Sequence, residues 1–406
     1  MHNELVFCQS IIDCVCNFEY PKDRLRIHVL DDSTDETIIN LVKKRVLMWR
    51  KRGIRIDIQR RICRHGFKAG SLNEAMLSTR GAEYIALFDV DFLPEPDFLL
   101  RTIPSLIANP NAAFVQARWT FTNGKESLLT RMQEISLNYH HKCEQEARSR
   151  ASFFMNFNGT GGVWRTAAIE QSGGWNTDTL VEDLDLSLRA YLNGWTSIYL
   201  TDVECLSELP STFAAYLSQQ HRWTSGPIQV LRKLVGRVWK TKQIGFFQKI
   251  FCTCFLMRGF VHLINILYFL ILMPFTIWLP EIAMFNMVNI CLSIVITMSH
   301  IAFTPNEFSR VLAYVWFDNA MCLFKAGATI SGMFNFGLAK VWHVTPKFAR
   351  KIHKDSPIVD AATCDKGPCG QNAFCDFDGV SYECLCEDGH DGDPYNIRTG
   401  CTPNSE

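Results

Sequence analysis

Residues 25–120 alternate short apolar runs with longer stretches whose apolar residues recur every three or four positions. Short runs predict strands and the longer spacing predicts helices, so this part predicts an α/β fold with a mostly parallel sheet. The expected strands cover 25–30, 54–58, 84–88 and 113–119, and the expected helices cover 36–52 and 69–78. Ligands of such sheets bind beyond the carboxyl ends of the strands, so acidic residues that directly follow a strand are the first candidates for ligand contacts.

Two long segments without Asp, Glu, Lys or Arg follow, at 259–279 and 284–304. Each is long enough to cross a bilayer, so we predict two transmembrane helices over 259–304, with a pair of buried core helices as the alternative. Residues 228–258 mix basic and apolar side chains and predict an interfacial helix region. Residues 305–354 include an apolar stretch with Asp318 and Lys325, and we expect this segment to lie against the membrane or the protein.

Composition narrows the class of partner and predicts a second kind of module. Lys and Arg number 41 and so do Asp and Glu, so no overall positive field favours nucleic acid. Of the 16 cysteines, six lie in the tail, where their gaps fit paired zinc ligands poorly. We therefore predict a small disulfide-rich module over 360–402. Its cysteines are Cys364, Cys369, Cys375, Cys384, Cys386 and Cys401.

Acidic residues follow two of the predicted strands. Asp31 and Asp32 come where a strand ends and a helix begins. A helix N-cap explains such residues, and the functional alternative is that one carboxylate accepts a hydrogen bond from a nucleotide. Asp89 and Asp91 follow the strand at 84–88. Alternate residues after a strand can face one ion, and carboxylates suit Mg²⁺ or Mn²⁺ carrying a diphosphate. An exposed acidic turn is the alternative for this pair.

Two further places offer charge for catalysis. Lys68 lies at the start of a predicted helix and could bind phosphate, or it could be an ordinary solvated lysine. Glu182 and Asp183 stand in an acidic stretch that predicts either a solvated helix face or a general base for a sugar hydroxyl.

An amide, a guanidinium and an indole lie within five residues, at Gln219, Arg222 and Trp223. Arginine can fork onto phosphate and tryptophan can stack on a sugar face, so this cluster suits a glycosyl donor and an acceptor together. A packed helix of the interfacial region is the alternative.

Taken in order, these motifs resemble the processive family 2 glycosyltransferases, such as cellulose, chitin and hyaluronan synthases. Over about residues 2–350 the amino-acid sequence resembles the plant cellulose synthase-like A branch, which makes β-1,4-mannan and glucomannan from GDP-mannose and GDP-glucose. The segments that carry this narrower resemblance include Val29–Asp35, Val115–Trp119, Asn156–Thr160, Val181–Asp183 and Gln219–Trp223. The resemblance implies a GT-A-type nucleotide-sugar-binding domain over 1–227. It also implies a sheet strand ahead of Met1, so we expect the first strand to be missing here.

The resemblance assigns a role to each candidate residue. Asp183 would be the catalytic base of an inverting transfer, supported by Glu182, and Asp89 and Asp91 would hold the Mg or Mn ion. The donor would be bound by Asp31, Asp32, Lys68 and Arg222. The acceptor would be bound by Gln219 and Trp223.

The tail resembles the epidermal-growth-factor-like (EGF-like) modules of plant wall-associated receptor kinases. That resemblance implies the pairs Cys364–Cys375, Cys369–Cys384 and Cys386–Cys401. Phe377 stands where calcium-binding versions carry Asn or Asp, so we expect no calcium there.

The combined expectation is a multi-pass Golgi membrane enzyme of cell-wall mannan synthesis. Its partners would be GDP-mannose or GDP-glucose, the growing polysaccharide and membrane lipid, with homo-oligomerisation left open. Two alternatives remain: a UDP-glucose-dependent β-1,4-glucan synthase of the xyloglucan type, and a truncated, catalytically dead homologue that only binds. Tail disulfides favour a lumenal catalytic side, which we prefer, whereas the basic residues within 232–258 favour the cytosol.

Overall fold

A computed structural model describes residues 1–61, 63–79, 81–279, 295, 298–340, 373–377, 382–386, 390–392 and 401–403. The chain divides into two compact units, Met1–Lys347 and Phe348–Glu406, and each is described by itself.

The first unit contains seven strands and at least fourteen α-helices among its described residues. The strands are β1 Ile27–Asp31, β2 Ile56–Arg60, β3 Tyr84–Leu87, β4 Leu93–Pro94, β5 Ala112–Phe121, β6 Gly162–Arg165 and β7 Thr196–Ser207. The helices before β7 are α1 Cys8–Cys16, α2 Glu36–Lys51, α3 Phe67–Ser78, α4 Phe98–Ala108, α5 Leu128–Tyr139, α6 Gln145–Arg150, α7 Thr166–Gln171 and α8 Glu182–Leu192. Those after it are α9 Phe213–Lys240, α10 Phe246–Met257, α11 Phe260–Leu267, α12 Met273–Trp278, α13 Val311–Ala320 and α14 Cys322–Phe334.

The strands form two sheets rather than one. β1 pairs in parallel with β2, and a separate five-stranded sheet has the order β3-β6-β5-β7-β4. In the larger sheet only β5 and β7 run parallel, and the other three pairings are antiparallel. The prediction of a mostly parallel sheet is therefore wrong. β6, which the hydrophobic pattern did not reveal, lies antiparallel between β3 and β5 and reverses the direction of the sheet there.

Local sequence explains why α2 forms where it was expected. The Asp35 side chain caps the helix by accepting from the backbone nitrogen of Thr37 at 2.8 Å. One face, with Val42, Val46 and Trp49, is buried in a core shared with α1 and β1. Each such side chain contributes roughly 1.5–3 kcal/mol when it leaves water, so this face holds the helix in place.

The apolar region after α10 consists of short helical pieces. A π-helical turn, Tyr268–Leu272, joins α11 to α12, and the chain bends by 65° between Phe246–Met257 and Phe260–Phe275. In the described part of the chain, no single helix is long and apolar enough to cross a bilayer. The two helices of this bent pair, taken together, do have the required length and composition. The second predicted span, 284–304, lies mostly outside the described residues.

The second unit is described only as two small antiparallel pairs. Strand β8, Ala373–Phe377, pairs with β9, Tyr382–Cys386, and β10, His390–Gly392, pairs with β11, Cys401–Pro403. Cys364 and Cys369 lie outside the described residues. The EGF-like module and its disulfide pairing therefore stay predictions.

Candidate functional site

A cavity of about 1030 Å³ lies between the two sheets of the first unit. Residues of β1 and β3 line it, and in the described part of the chain neither of these strands has a second partner. The cavity collects every candidate of the sequence analysis outside the tail except Asp31. These residues are Asp32, Lys68, Asp89, Asp91, Glu182, Asp183, Gln219, Arg222 and Trp223.

The two aspartates that follow β1 have different surroundings. Asp31 is fully buried, accepts from the backbone nitrogen of Ser33 at 3.0 Å and lies 3.6 Å from Arg60, outside the cavity lining. Asp32 faces the cavity and receives both Nε, at 2.9 Å, and Nη2 of Arg61. The structure thus leaves Asp32, held by Arg61, as the member of the pair that a ligand could meet.

The amine of Lys68 contacts acidic side chains of the cavity and the loop that contains Gly159. The amine donates to Asp89 and, at 2.9 Å, to the carbonyl oxygen of Gly159, and it lies 3.9 Å from Glu182. Burial acts to lower the pKa of Lys68, but Asp89, Glu182 and Asp183 outweigh it, so the pKa is raised. The ammonium group is therefore a fixed positive charge within an acidic cluster.

Asp183 occupies the second position of α8, where a carboxylate faces the positive end of the helix dipole. Burial and the neighbouring Glu182 raise the pKa of Asp183 to about 7, while Lys68 and Arg222 act in the opposite direction. The alternative of a solvated helix face is wrong, because most side chains of α8 are buried. A carboxyl group with such a pKa suits proton transfer near neutral pH.

Helix α9 brings the polar cluster to the cavity. Gln219, Arg222 and Trp223 are three and four residues apart, so they share one face of the helix, and all three line the cavity. One turn later α9 touches the segment before α8: a Cβ on Gly226 would lie 2.7 Å from Cγ2 of Val181. This close approach sets how far Arg222 and Trp223 lie from Asp183.

Comparison with known proteins places the chain in a family. Residues 84–299, just over half of the chain, match the family described as Glycosyl transferase family group 2. The chain belongs to this family. It is 42% identical over 367 residues to glucomannan 4-beta-mannosyltransferase 1 of Oryza sativa subsp. japonica, covering 89% of this chain and 70% of that protein. It is 43% identical over 352 residues to glucomannan 4-beta-mannosyltransferase 2 of Arabidopsis thaliana, covering 86% and 66%.

The predicted family is thus confirmed: this chain is a family 2 glycosyltransferase, and it is similar to proteins named glucomannan 4-beta-mannosyltransferases. It spans about two thirds of the length of these curated relatives. Among solved structures it resembles the mannosyltransferase PcManGT from Pyrobaculum calidifontis, in complex with GDP-Man and Mn²⁺. The TM-score is 0.56 and the identity 19%, covering 82% of this chain and 85% of that one. The likeness supports a GT-A-like glycosyltransferase fold with a mixed sheet.

The loop Asn156–Thr160 of this family 2 site has no predicted role, although it contributes to the family resemblance. Gly159 has a φ of +83°, and a Cβ there would lie 3.3 Å from a carboxylate oxygen of Asp183. The hydroxyl of Thr160 accepts from the backbone nitrogen of Asp89 at 2.7 Å. A glycine with left-handed backbone beside a carboxylate is the signal that could have shown the importance of the loop.

Glu4 is a further residue of the site that the sequence did not predict. It lines the cavity, and burial raises its pKa to about 7, with Asp91 and Asp89 adding to the effect and the chain's amino group opposing it. Its position near the start of the chain carries no local pattern, so only the fold reveals it.

The described residues supply only part of a donor set for a divalent cation. Among the described residues, no group of three or more His, Cys, Asp or Glu side chains could hold a metal ion. Asp89 and Asp91 nonetheless both line the cavity, one residue apart after β3. Hard divalent cations keep several water or phosphate ligands besides one or two carboxylates, so this pair fits an ion that arrives with a diphosphate.

Proposed function

We propose that this family 2 glycosyltransferase is a membrane-bound, inverting and processive enzyme that builds a β-1,4-mannan or glucomannan backbone. Its donors would be GDP-mannose and GDP-glucose. One observation carries the proposal: Asp183, whose pKa burial raises to about 7, shares one cavity with the cations Lys68 and Arg222. The names of the relatives support the mannan product, and the GDP-Man named with the structural neighbour is in keeping with this donor.

The transfer step follows from these groups. The 4-hydroxyl of the acceptor sugar gives its proton to the Asp183 carboxylate while its oxygen attacks the anomeric carbon of the donor. The bond between that carbon and the diphosphate oxygen breaks, and the nucleotide diphosphate leaves with the electron pair. Attack from the face opposite the diphosphate inverts the configuration and gives a β-linkage. Lys68 and Arg222 stabilise the negative charge that develops on the leaving diphosphate.

A Mg²⁺ or Mn²⁺ ion is part of the proposal. Asp89 and Asp91 would hold it, and bound there it would neutralise charge on the departing diphosphate. Lys68 donates to Asp89, so it orients one of the two proposed ligands. Asp32, held by Arg61, would contact the nucleotide. Asp31 would stabilise the turn after β1 by accepting from the backbone nitrogen of Ser33.

The acceptor would be held by helix α9. Gln219 can hydrogen-bond sugar hydroxyls, and the indole of Trp223 can stack on a sugar face. Both residues line the cavity on the face of α9 that carries Arg222. Glu182, which lies 3.9 Å from Lys68, would support the cluster rather than transfer the proton.

Membrane attachment and location complete the proposal. Apolar side chains are exposed along α10 to α12, and this surface favours contact with lipid. The EGF-like tail would form its three disulfides in an oxidising compartment, which favours a Golgi membrane with the catalytic side in the lumen. Protease digestion of sealed vesicles tests the side: loss of the tail from intact vesicles would contradict the lumenal placement.

Transfer of label from radiolabelled GDP-mannose into polymer by microsomes tests the activity. The wild-type chain is compared with Asp183→Asn and with the control Asp97→Asn, an exposed carboxylate outside the cavity. We expect a loss of about 10²- to 10⁴-fold for Asp183→Asn only, as for removal of a general base. Digestion of the wild-type product by a β-1,4-mannanase identifies the linkage.

Three other outcomes would contradict parts of the proposal. Equal incorporation by Asp183→Asn and the wild type would remove Asp183 as the base. Incorporation from UDP-glucose but not from GDP-mannose would favour the β-1,4-glucan synthase. No incorporation from either donor by any variant would favour a chain that binds without catalysing.

A further inference from the structure

The side-chain oxygen of Asn158 is fully used by protein donors. Nε2 of Gln145 donates to Asn158 Oδ1 at 3.0 Å, and Nδ2 of Asn156 donates to the same atom at 2.8 Å. Nε2 of His140 lies 3.4 Å from it and adds a third donor when that ring is protonated. The backbone nitrogen of Asn158 is fixed as well, because it donates to Gln116 Oε1 at 2.9 Å.

The neighbours determine which end of the Asn158 amide is the oxygen. Arg148 can only donate, and its Nη1 lies 3.3 Å from Asn156 Oδ1, which fixes the orientation of the Asn156 amide. Backbone carbonyl oxygens can only accept: that of Phe157 accepts from Asn156 Nδ2 at 3.2 Å, and that of Asn156 accepts from Gln145 Nε2 at 3.0 Å. Both amides therefore present nitrogen to Asn158, so its oxygen must face them.

This arrangement leaves the Asn158 Nδ2 group without an acceptor. The atom is buried, and it has no hydrogen-bond partner among the described residues. Buried amide nitrogens are normally paired, so an unpaired one held rigidly in a cavity wall indicates that a ligand oxygen completes it. Asn158 does line the cavity that contains the proposed catalytic groups.

The position of Asn158 indicates which part of a ligand it meets. The next residue, Gly159, accepts from Lys68, which also bonds Asp89 at the proposed diphosphate end. A Cβ on Gly159 would lie 3.3 Å from the proposed base, Asp183. The donor sugar must lie between its diphosphate and the base during inverting transfer, and this is the stretch of wall that Asn158 and Gly159 form.

We propose that Asn158 is a specificity-determining residue whose Nδ2 donates to a hydroxyl oxygen of the donor hexose. The inference rests on the proposed function, because it takes a nucleotide sugar as the ligand. It assigns Asn158 to the sugar and not to the nucleotide. Loss of the Asn158 amide should therefore weaken binding of the nucleotide sugar and leave binding of the free nucleotide unchanged.

Titration calorimetry of purified full-length protein with GDP and with GDP-mannose, both with Mn²⁺, tests this assignment. Asn158→Asp keeps an acceptor for Gln145 and Asn156 and removes only the donor, and Asn158→Ala serves as a second, uncharged variant. We expect the ratio of the two Kd values, GDP-mannose over GDP, to rise about three- to tenfold in both. Taking the ratio cancels any effect of the new charge on the nucleotide. Asn193→Asp, the same change at an exposed site outside the cavity, should leave the ratio unaltered.

An unchanged ratio in both Asn158 variants would overturn the inference while leaving the proposed function intact. A loss of GDP affinity equal to that of GDP-mannose would also overturn it, because the role would then be structural. Failure of the wild-type chain to bind GDP-mannose would remove the proposed function and this inference with it.

Discussion

At neutral pH the carboxyl group of Asp183 is close to the midpoint of its titration, because burial raises its pKa to about 7. Only the charged form can accept the acceptor's proton. We therefore expect kcat/KM for mannosyl transfer to rise with pH through about 7 and then level off. Initial rates from pH 5.5 to 8.5 at saturating Mn²⁺ measure this. A rate that is flat across neutral pH would contradict a base with this pKa.

The same burial predicts the effect of Asp183 on stability. In the unfolded chain an aspartate has its ordinary pKa near 3.8, whereas in the folded chain the pKa is about 7. Between these values the folded state binds more protons, so this residue makes the free energy of unfolding fall as pH rises from about 4 to 7. Asp183→Asn removes the penalty. We expect its Tm to exceed that of the wild type at pH 8 by more than at pH 5, and an equal difference at both pH values would contradict this.

Lys68 lowers the pKa of Asp183, so its removal should shift the pH dependence of the reaction. Lys68→Met leaves Asp89, Glu182 and Asp183 without the cation between them. We expect the midpoint of the rise in kcat/KM to move to higher pH, together with a loss of transfer at every pH. Lys44→Met, at an exposed position of α2, is the matched control and should leave the midpoint unchanged. A fall in rate with no shift of the midpoint would limit Lys68 to diphosphate binding.

Local pattern was sufficient for some of these residues and not for others. Asp89, Asp183 and Trp223 belong to short motifs, so their shared cavity could be anticipated from sequence. Arg61 and Asn158 could not, because what defines them is a partner that only the fold brings near. Arg61 meets Asp32, and the Asn158 amide is oriented by a network that begins at Arg148.

At the scale of elements, the contact between α9 and the start of α8 sets the width of the catalytic cavity. Gly226→Ala would place a methyl group 2.7 Å from Cγ2 of Val181, so α9 must move outward. Overpacking of this kind typically costs about 1–3 kcal/mol. We expect a lower Tm and a larger fall in kcat/KM, because Arg222 and Trp223 move with the helix.

A control on the same helix separates this contact from helix propensity. A Cβ on Gly236 of α9 meets nothing within 4 Å, so Gly236→Ala should stabilise the helix by about 0.5–1 kcal/mol without loss of transfer. The second change Val181→Ala should restore part of the activity of Gly226→Ala. Equal behaviour of the two glycine variants would show that the contact with Val181 is unimportant.

Helices could be placed from sequence more accurately than the sheet. α2 has an N-cap, a periodic apolar face and Gly53 beyond its end, and the predicted span 36–52 differs from Glu36–Lys51 by one residue. β6 has only four residues, and they pair with β3 and β5, which lie far away in sequence. No local signal gives the direction of such a pairing, which is why the predicted parallel sheet was wrong.

At the scale of the whole first unit, the proposed site draws on both sheets. Asp32 follows β1 of the small sheet, Asp89 follows β3 of the large one, and Asp183 and Trp223 come from helices that pack together. A nucleotide sugar bound as proposed would therefore contact both halves. The arrangement explains how motifs scattered from Asp32 to Trp223 could act on one ligand. In the described residues the two sheets are not hydrogen-bonded to each other.

Among the described residues, many exposed apolar side chains lie between Phe246 and Leu279. Phe247, Leu270 and Trp278 are each more than two thirds exposed there, at 77%, 71% and 81%. A contiguous apolar surface of this kind is unfavourable in water, so we expect the chain to remain in the membrane pellet after alkaline carbonate washing. A variant with Ile264, Phe269, Leu270 and Phe275 all changed to Asn should be released into the supernatant to a greater extent than the wild-type chain. The matched control changes exposed Leu47 and Leu77 to Asn and should stay in the pellet, whereas release of the wild-type chain by carbonate would contradict a lipid-bound surface.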